Sequence, residues 1–230
     1  MKGTLPHRMA ELDVAKAGFW SRVFARYYDR VLNVSEEAGL STIRAGVVAN
    51  ANGRVLELGS GTGLNLSHYP EAVEALVLTE PDPNMLKKLR RKVAVLNHDR
   101  FIEITSADAG NLPFPDDSFD TVVSTLVLCT VPDPVRAIAE AHRVLKPGGQ
   151  FLFVEHVLGT GAVAARQKAV AGPWEKIACG CRCDRPTHST LEESDLNVVE
   201  MTHGRMPKAT KFLKPLIHGR AVKNSAGVGS

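Results

Sequence analysis

Three glycines at alternate positions follow a short apolar run in the segment VLELGSGTG, residues 55–63. Gly59, Gly61 and Gly63 remove every second side chain from this part of the chain. A backbone without side chains adopts positive φ angles readily and lets another group approach closely. We expect the apolar run to form a buried strand and a helix to follow the glycines, which is the setting of nucleotide-like ligand sites.

A carboxylate at the end of the next apolar segment narrows the choice of ligand. Glu80 closes the segment ALVLTE, twenty-one residues after Gly59, and can accept hydrogen bonds from both hydroxyls of a ribose. Dinucleotide sites use the spacing G-x-G-x-x-G, whereas this chain has G-x-G-x-G with the acidic Glu57 two residues ahead of it. Negative charge is unfavourable beside a pyrophosphate and favourable beside an ammonium and a sulfonium group. The pattern therefore favours S-adenosylmethionine over NAD, and an oxidoreductase is the weakest alternative.

Alternating strand-like and helix-like segments position these residues. The predicted strands cover residues 54–58, 75–80, 101–105, 121–124, 150–155, 197–202 and 215–222, and the predicted helices cover residues 83–95 and 134–145 and follow Gly161. Strands that alternate with helices in this way predict a parallel sheet with helices on both faces. A chain of 230 residues is long enough for one such α/β domain, which we place at residues 51–230.

The residues before this domain are predicted to form an N-terminal helical cap, residues 1–50. Aromatic and aliphatic residues recur every three or four positions over residues 19–32, which predicts an amphipathic helix. A second helix is expected from Ser35, as its N-cap, to about residue 49, with two glutamates in its first turn.

Composition and charge argue against several classes of protein. The net charge of +3 is too small to indicate nucleic-acid binding, and no run of eighteen apolar residues encodes a membrane span. The N-terminus lacks the apolar core of a secretory signal, so we expect a cytoplasmic protein. Residues 201–230 contain six Lys or Arg and no Asp or Glu, which indicates either a solvated face or a weak attraction to anionic membrane surfaces or an acidic substrate.

The four cysteines do not predict a metal centre. Three of them crowd into the segment CGCRC, as Cys179, Cys181 and Cys183. Zinc sites usually combine ligands separated by two or more residues with a second pair elsewhere. The sequence offers no second pair of this kind, so we expect no metal.

Several longer segments resemble successive motifs of a known family. Over residues 50–158, four segments are similar in order and spacing to the motifs of class I S-adenosylmethionine-dependent methyltransferases of domain type 11. They are ELGSGTG, TEPDPNML, ADAGNLPFPDDSFDTVVSTLVLCTVPDP and RVLKPGGQFLFVEH. Five shorter segments resemble the alkyl-thiol S-methyltransferase branch of this family, namely TLVLCTV, FVEHV, GPW, GCRCDR and PLIHGRAVK. Animal members of that branch carry a hydrophobic N-terminal anchor, which we do not expect in this chain. The resemblance implies a Rossmann-like, mainly parallel seven-stranded sheet with strand 7 antiparallel and an N-terminal helical extension.

The resemblance also implies a set of cofactor contacts. Glu57 would lie near the charged amino end of S-adenosylmethionine, Glu80 would hold the ribose, and Asp108 would accept from the adenine amine. Pro81 or Asp82 would edge the adenine, Ala109 would offer its backbone N–H, residues 124–126 would line the methionine arm, and Tyr28 would touch the methionine end. The full set implied is Tyr28, Glu57, Gly59, Ser60, Gly61, Gly63, Glu80, Pro81, Asp108, Ala109, Ser124, Thr125 and Leu126.

The acceptor side of the predicted site depends on fewer residues. His156 ends the fifth predicted strand, where ligands bind in open α/β sheets, so it is a candidate general base or substrate contact, or else a hydrogen-bonded supporting residue. Cys129 stands where many relatives have histidine, and is either part of the acceptor pocket or a small buried hydrophobe. Asp184 and Arg185 either shape the acceptor pocket, together with the rest of residues 160–223, or pair with each other on the surface.

These predictions combine into a methyltransferase that acts on a small-molecule acceptor and releases S-adenosylhomocysteine. A thiol is the first expectation, because a thiol of pKa about 8.5 is a few per cent thiolate at neutral pH and needs only modest help from a base. The alternatives are an N- or O-methyltransferase acting on a phospholipid headgroup, an amine or a phenol. A catalytically inert cofactor-binding protein is the alternative from another class.

Overall fold

The computed structural model describes residues 19–96 and 101–225 and contains one sheet, which has seven strands in these residues. The predicted cap residues 1–18 lie outside the described residues. The strand order is β3-β2-β1-β4-β5-β7-β6. The bounds are β1 Gly53–Leu58, β2 Val73–Thr79, β3 Phe101–Thr105, β4 Phe119–Thr125, β5 Leu145–His156, β6 Leu196–Arg205 and β7 Pro215–Lys223.

Strand directions in the sheet follow the predicted Rossmann-like pattern. β1 pairs in parallel with β2 and β4, β2 with β3, and β4 with β5. Only β7, among the described strands, runs antiparallel to its neighbours β5 and β6. The chain leaves β1 toward β2 on one side and returns to β4 on the other, which opens a crevice at the carboxyl ends of β1 and β4.

Helices cover both faces of the sheet, and apolar side chains fill both interfaces. Their bounds are α1 Phe19–Ser35, α2 Ser41–Val48, α3 Pro83–Val95, α4 Pro134–Val144, α5 Gly161–Ile177 and α6 Thr187–Glu192. On one side, Phe151, Phe153 and Ile138 belong to one buried cluster, and on the other, Leu40 and Leu89 belong to a second. The central strands are therefore buried on both faces, which holds their carboxyl ends in fixed positions.

Aspartate caps fix where α3 and α4 begin. The Asp82 carboxylate accepts hydrogen bonds from the backbone N–H groups of Asn84, at 2.8 Å, and Met85, at 3.0 Å. Asp133 accepts from the N–H of Arg136 at 3.1 Å. A proline occupies the first helical position in both cases, where its missing N–H costs nothing. These caps place the start of each helix directly after the loop that follows a strand.

Two local predictions are wrong. Ser35 is not an N-cap: it has helical φ and ψ angles of −79° and −38° and makes no capping hydrogen bond, because α1 continues through it. The break falls at Gly39, whose φ of +126° ends the helical path inside the π-helical turn Glu36–Leu40. No α-helix follows the glycines either, since residues 61–68 form successive turns closed by bonds such as Gly63 N–H to Ser60 O, at 2.8 Å.

Among the described residues, no helix is both long enough and apolar enough to cross a bilayer.

Candidate functional site

The glycine bend after β1 leaves its backbone open to a visiting group. Gly59, Gly61 and Gly63 have φ angles of +52°, +56° and +80°. A Cβ built on Gly59 would lie 2.9 Å from Val127 Cγ2, so the bend packs too closely there for any side chain. A Cβ on Gly61 would come no closer than 4.0 Å to any atom outside its own neighbours. Gly61 therefore faces free space, as a close approach by a ligand requires.

Glu80 holds the glycine bend from the end of β2. Its Oε2 accepts a hydrogen bond from the Gly61 backbone N–H at 2.8 Å, and its Oε1 accepts one from the Asp82 N–H at 2.8 Å. The side chain is largely buried, and this burial raises the pKa of Glu80 to about 7, against the two backbone hydrogen bonds that favour the carboxylate. The carboxylate thus lies between the glycine bend and the first turn of α3.

A polar pocket lies beside the bend, between β1, β4 and the N-terminal helices. Glu57 is buried in it: Oε1 accepts from Asn65 Nδ2 at 3.0 Å and Oε2 accepts from the Tyr69 hydroxyl at 2.7 Å. Burial raises the pKa of Glu57 to about 7. The residues lining the pocket are Tyr28, Arg44, Glu57, Gly59, Ser60, Gly61, Thr62, Leu64, Asn65 and Thr125. The structure therefore brings together six of the predicted cofactor residues: Tyr28, Glu57, Gly59, Ser60, Gly61 and Thr125.

Arg44 is a member of this pocket that the sequence analysis missed. Its side chain is almost fully buried, its Nε donates to Glu36 Oε1 at 2.8 Å, and its Nη1 donates to Asn65 Oδ1 at 3.3 Å. Asn65 in turn donates to Thr125 Oγ1 at 2.9 Å as well as to Glu57. The pocket therefore contains a cation and several hydrogen-bond acceptors in one network.

Helix α1 covers the glycine bend through Asp29. The Asp29 carboxylate accepts a hydrogen bond from the Thr62 hydroxyl at 2.6 Å and pairs with the Lys88 ammonium at 3.0 Å. Ser21 donates to Asp82, and Asn84 Nδ2 donates to the Ser21 hydroxyl at 2.9 Å. Tyr28, which was predicted to touch the methionine end, lines the same pocket. Burial is the main cause that raises the pKa of Tyr28 to about 12.

The remaining predicted cofactor residues lie along the strand ends. Pro81 and Asp108 are exposed, and Asp108 Oδ1 accepts from the Gly110 N–H at 2.8 Å. Ala109 is buried against the apolar core. Ser124 is fully buried and donates at 2.7 Å to Glu155, so its side chain does not line the pocket.

Glu155 shapes the turn after β4 from inside the fold. Besides Ser124, it accepts hydrogen bonds from the backbone N–H groups of Val127 and Leu128, each at 3.1 Å. Leu126, the first residue of the turn, has a φ of +59°, a backbone conformation uncommon for a residue other than glycine. The buried carboxylate therefore supports a strained turn at the edge of the pocket.

The loop between α5 and α6 brings the predicted acceptor residues to the same edge. Cys181 Sγ lies 3.8 Å from Cys129 Sγ and 4.0 Å from His156 Nδ1. Asp184 and Arg185 do not pair with each other. Asp184 binds Arg182, at 3.1 Å, and Arg185 donates from Nη2 to the Val131 carbonyl at 2.7 Å. The expected surface pair is therefore wrong, since each side chain has a different partner.

Comparison with known proteins agrees with this arrangement. Residues 56–153 match the family model of a methyltransferase domain. The chain is 38% identical over 185 residues to the thiol S-methyltransferase TMT1B of Homo sapiens, an alignment that covers 76% of this chain and 74% of the relative. It is 36% identical over 151 residues to a phosphatidylethanolamine N-methyltransferase of Cereibacter sphaeroides, over 65% and 73% of the two chains.

A solved structure shares the fold. The match is to the complex between the Haloferax volcanii Trm112 methyltransferase activator and a methyltransferase, with a TM-score of 0.69 and 17% identity. The alignment covers 89% of this chain and 97% of the solved one. The sheet order and this likeness confirm the predicted fold class.

The chain therefore belongs to the class I S-adenosylmethionine-dependent methyltransferases. Within this class it stands close to the thiol S-methyltransferases TMT1A and TMT1B of Homo sapiens, to which it is 34% and 38% identical. The predictions of a methyltransferase and of S-adenosylmethionine as its cofactor are confirmed. The residues present fit that cofactor: Glu80 stands at the end of β2, Gly61 faces free space, and Arg44 supplies a cation in the pocket.

Proposed function

We propose that this methyltransferase acts on a small-molecule thiol. The observation that carries the proposal is the likeness to two thiol S-methyltransferases over about three quarters of the chain. The chemistry agrees with it, because a thiol is already partly ionised at neutral pH and requires little from a general base. Orientation of the two reactants then supplies most of the acceleration, on the order of 7–11 kcal/mol.

In this proposal, residues from the end of β3 to the polar pocket would hold the cofactor. Glu80 accepts hydrogen bonds from the ribose, while Pro81, Asp108 and the Ala109 N–H border the adenine. At the other end, Arg44 pairs with the methionine carboxylate. When bound, S-adenosylmethionine supplies an activated methyl group on a positively charged sulfur. The protein contributes position and the exclusion of water.

Four further groups define the methionine end. Glu57 and Asn65 accept from the ammonium group, and Thr125 and the backbone of Leu126 line the arm. Ser124 acts through Glu155, to which it donates a hydrogen bond, and so supports the turn after β4 without touching the cofactor.

The acceptor side is formed by residues 160–223 together with the turn after β4. The Arg182 N–H donates to the Cys129 carbonyl at 2.7 Å, and Arg185 holds the Val131 carbonyl. Both bonds fasten the loop between α5 and α6 to the segment that carries Cys129. Arg185 and Asp184 thus position the acceptor pocket through its backbone. Tyr28, which lines the polar pocket, would touch the methionine end of the cofactor from the cap.

The test is an acceptor panel that varies one atom. The full-length protein is incubated with S-adenosylmethionine and with a thiol, an amine and an alcohol of the same carbon skeleton, and also with phosphatidylethanolamine vesicles. S-adenosylhomocysteine and the methylated products are quantified by mass spectrometry. We expect S-methylation of the thiol to exceed methylation of the other acceptors. Preferential N-methylation of the vesicles would overturn the proposal in favour of the activity named for the Cereibacter sphaeroides relative.

A further inference from the structure

Cys129, His156 and Cys181 form a cluster that the proposed methyl transfer does not by itself explain. Their donor atoms all lie within 4.8 Å of one another. Cys129 lies in the turn after β4, His156 ends β5, and Cys181 lies in the loop between α5 and α6. Three separate segments therefore converge on one point at the carboxyl edge of the sheet.

The Cys129–Cys181 distance matches that of a tetrahedral zinc site, and the distances to His156 are longer than in such a site. Two thiolates that each bind zinc at about 2.3 Å lie about 3.8 Å apart, and a thiolate and an imidazole nitrogen lie about 3.6 Å apart. The two sulfurs, of Cys129 and Cys181, are separated by 3.8 Å, and Cys181 Sγ is 4.0 Å from His156 Nδ1. One zinc ion reaches all three donors after shifts of the imidazole on the order of 1 Å, which side-chain torsions supply.

The state of the donor groups agrees with metal binding. His156 is 4% exposed, its Nδ1 faces Cys181 Sγ, and no described residue bonds to its Nε2. Apart from this contact with sulfur, no hydrogen bond among the described residues competes with a metal ion for the imidazole. Zinc binds the thiolate form of cysteine. A soft-donor set of two sulfurs and one nitrogen is typical of zinc.

We propose that Cys129, His156 and Cys181 bind one Zn²⁺ ion, whose fourth position is open to the methyl acceptor. Zinc sites that act on substrates keep three protein ligands and one exchangeable position. Cys129 and His156 are buried, whereas Cys181 is partly exposed, so the open position faces the side of Cys181. The second half of the proposal, the binding of the acceptor, rests on the proposed thiol specificity.

The zinc ion acts on the acceptor by removing its thiol proton. The S–H bond of the acceptor breaks, its electron pair forms the Zn–S bond, the proton passes to solvent, and a water leaves the fourth position. No oxidation or reduction takes place, since zinc is not redox-active. The bound thiolate is then held at the carboxyl edge of β4 and β5.

The first experiment measures metal binding without catalysis. Co²⁺, a spectroscopic substitute for zinc, is titrated into metal-free full-length protein in a phosphine reductant. We expect one Co²⁺ per chain and a thiolate charge-transfer band. C181S and H156Q should each weaken binding by more than about 100-fold, because loss of an outer partner alone costs about 10–100-fold. C179S is the matched control, since Cys179 is exposed and outside the cluster, and it should bind like the wild type.

Two results of this titration would overturn the metal site. One is the absence of a charge-transfer band in the wild type, and the other is equal binding by C181S and C179S. Circular dichroism and calorimetry with S-adenosylmethionine establish that each variant is folded. C181S is the more informative variant, because the Cys181 side chain lies in a loop and is partly exposed.

The second experiment tests the open position. A thiol acceptor added to the Co²⁺ protein without S-adenosylmethionine should change the ligand-field bands, whereas its alcohol analogue should not. An unchanged spectrum would overturn coordination of the acceptor. Full S-methylation by metal-free wild type would also overturn the role of zinc while leaving the thiol specificity intact. Failure of thiol methylation with and without zinc would overturn the proposed function, while the titration still decides the metal site.

Discussion

Replacement of Glu80 tests whether its carboxylate carries cofactor binding. In Glu80→Gln the side chain keeps its size, and one oxygen can still accept from the Asp82 N–H, now 2.8 Å from Oε1. The amide cannot also accept at the position that faces the Gly61 N–H and the proposed ribose. A hydrogen bond to a charged group contributes about 1.5–3 kcal/mol. We therefore expect S-adenosylmethionine to bind about 10- to 150-fold more weakly at pH 8, as measured by titration calorimetry.

The raised pKa of Glu80 adds a dependence on pH with a definite sign. With a pKa of about 7 in the free protein, about a tenth of Glu80 is ionised at pH 6 and about nine tenths at pH 8. If the ionised form binds the ribose, affinity should rise about tenfold over this interval and level off above it. Glu57 shares the pocket and has a similar pKa, so it contributes a second dependence of the same sign.

Two variants separate these contributions. Glu80→Gln should remove only its own share of the pH dependence, and the double variant with Glu57→Gln should bind with nearly constant affinity from pH 6 to pH 8. Thermal unfolding and circular dichroism show whether the variants are folded. Wild-type affinity of Glu80→Gln at pH 8 would refute the role assigned to this carboxylate, as would a pH profile unchanged by both substitutions.

Three other predictions test the site and its support. Gly61→Val should reduce cofactor affinity more than 100-fold in calorimetry, because its branched side chain enters the free space beside the bend at a φ of +56°. Gly46→Val, on an open face of α2, should leave affinity unchanged, and equal loss in both variants would contradict a close approach of the cofactor to Gly61. The buried Glu57 has a pKa raised to about 7, so its contribution to stability is fully present below its unfolded pKa of about 4.5 and is lost as the pH rises through 7. Urea unfolding of the cofactor-free protein should show this decline in unfolding free energy. An equally steep decline in Glu57→Gln would exclude this carboxyl as its cause. Arg44→Leu should lower the unfolding free energy by about 3–5 kcal/mol, because it leaves Glu36 buried and unpaired. The double variant with Glu36→Leu should recover stability but not cofactor affinity. Recovery of both would show that Arg44 has only a structural role.

Much of the sheet could be predicted from hydrophobic pattern and turn residues. The predicted strand at residues 101–105 coincides with β3, and the helix at residues 83–95 coincides with α3. Asp82 and Pro83 form a cap that is visible in the sequence and present in the structure. The local signals failed where chain conformation depends on distant contacts. Ser35 has the chemistry of an N-cap, yet α1 runs through it because the turn at Gly39 provides the break.

The site could be predicted only in part, for a similar reason. Gly61 and Glu80 belong to a local motif, and the structure joins them by a hydrogen bond. Arg44 lies in a segment whose pattern predicts only an ordinary helix. A lone arginine beside Val47 and Val48 on the buried face of α2 is nevertheless an available signal.

Spacing in the sequence does not reveal the cluster of Cys129, His156 and Cys181. The segment that contains Cys181 lacks a second pair nearby in the sequence, and the rule for zinc ligands therefore predicts no metal. The structure brings Cys129 and His156 to it from the ends of β4 and β5. Only the sheet order, with β4 beside β5, makes that neighbourhood possible.

Helix α1, which covers the glycine bend, has few buried contacts and should therefore have a lower local stability than the sheet beneath it. Among the side chains of α1 that the structure describes, the buried hydrophobic ones are Ala25 and Leu32. The Lys88–Asp29 ion pair is partly exposed, so it contributes at most about 1 kcal/mol to stability. The backbone amides of α1 should therefore exchange with deuterium long before those of β1 and β4, through openings that leave the sheet intact. Such openings would let ligands enter and leave the crevice below α1 without unfolding of the whole protein.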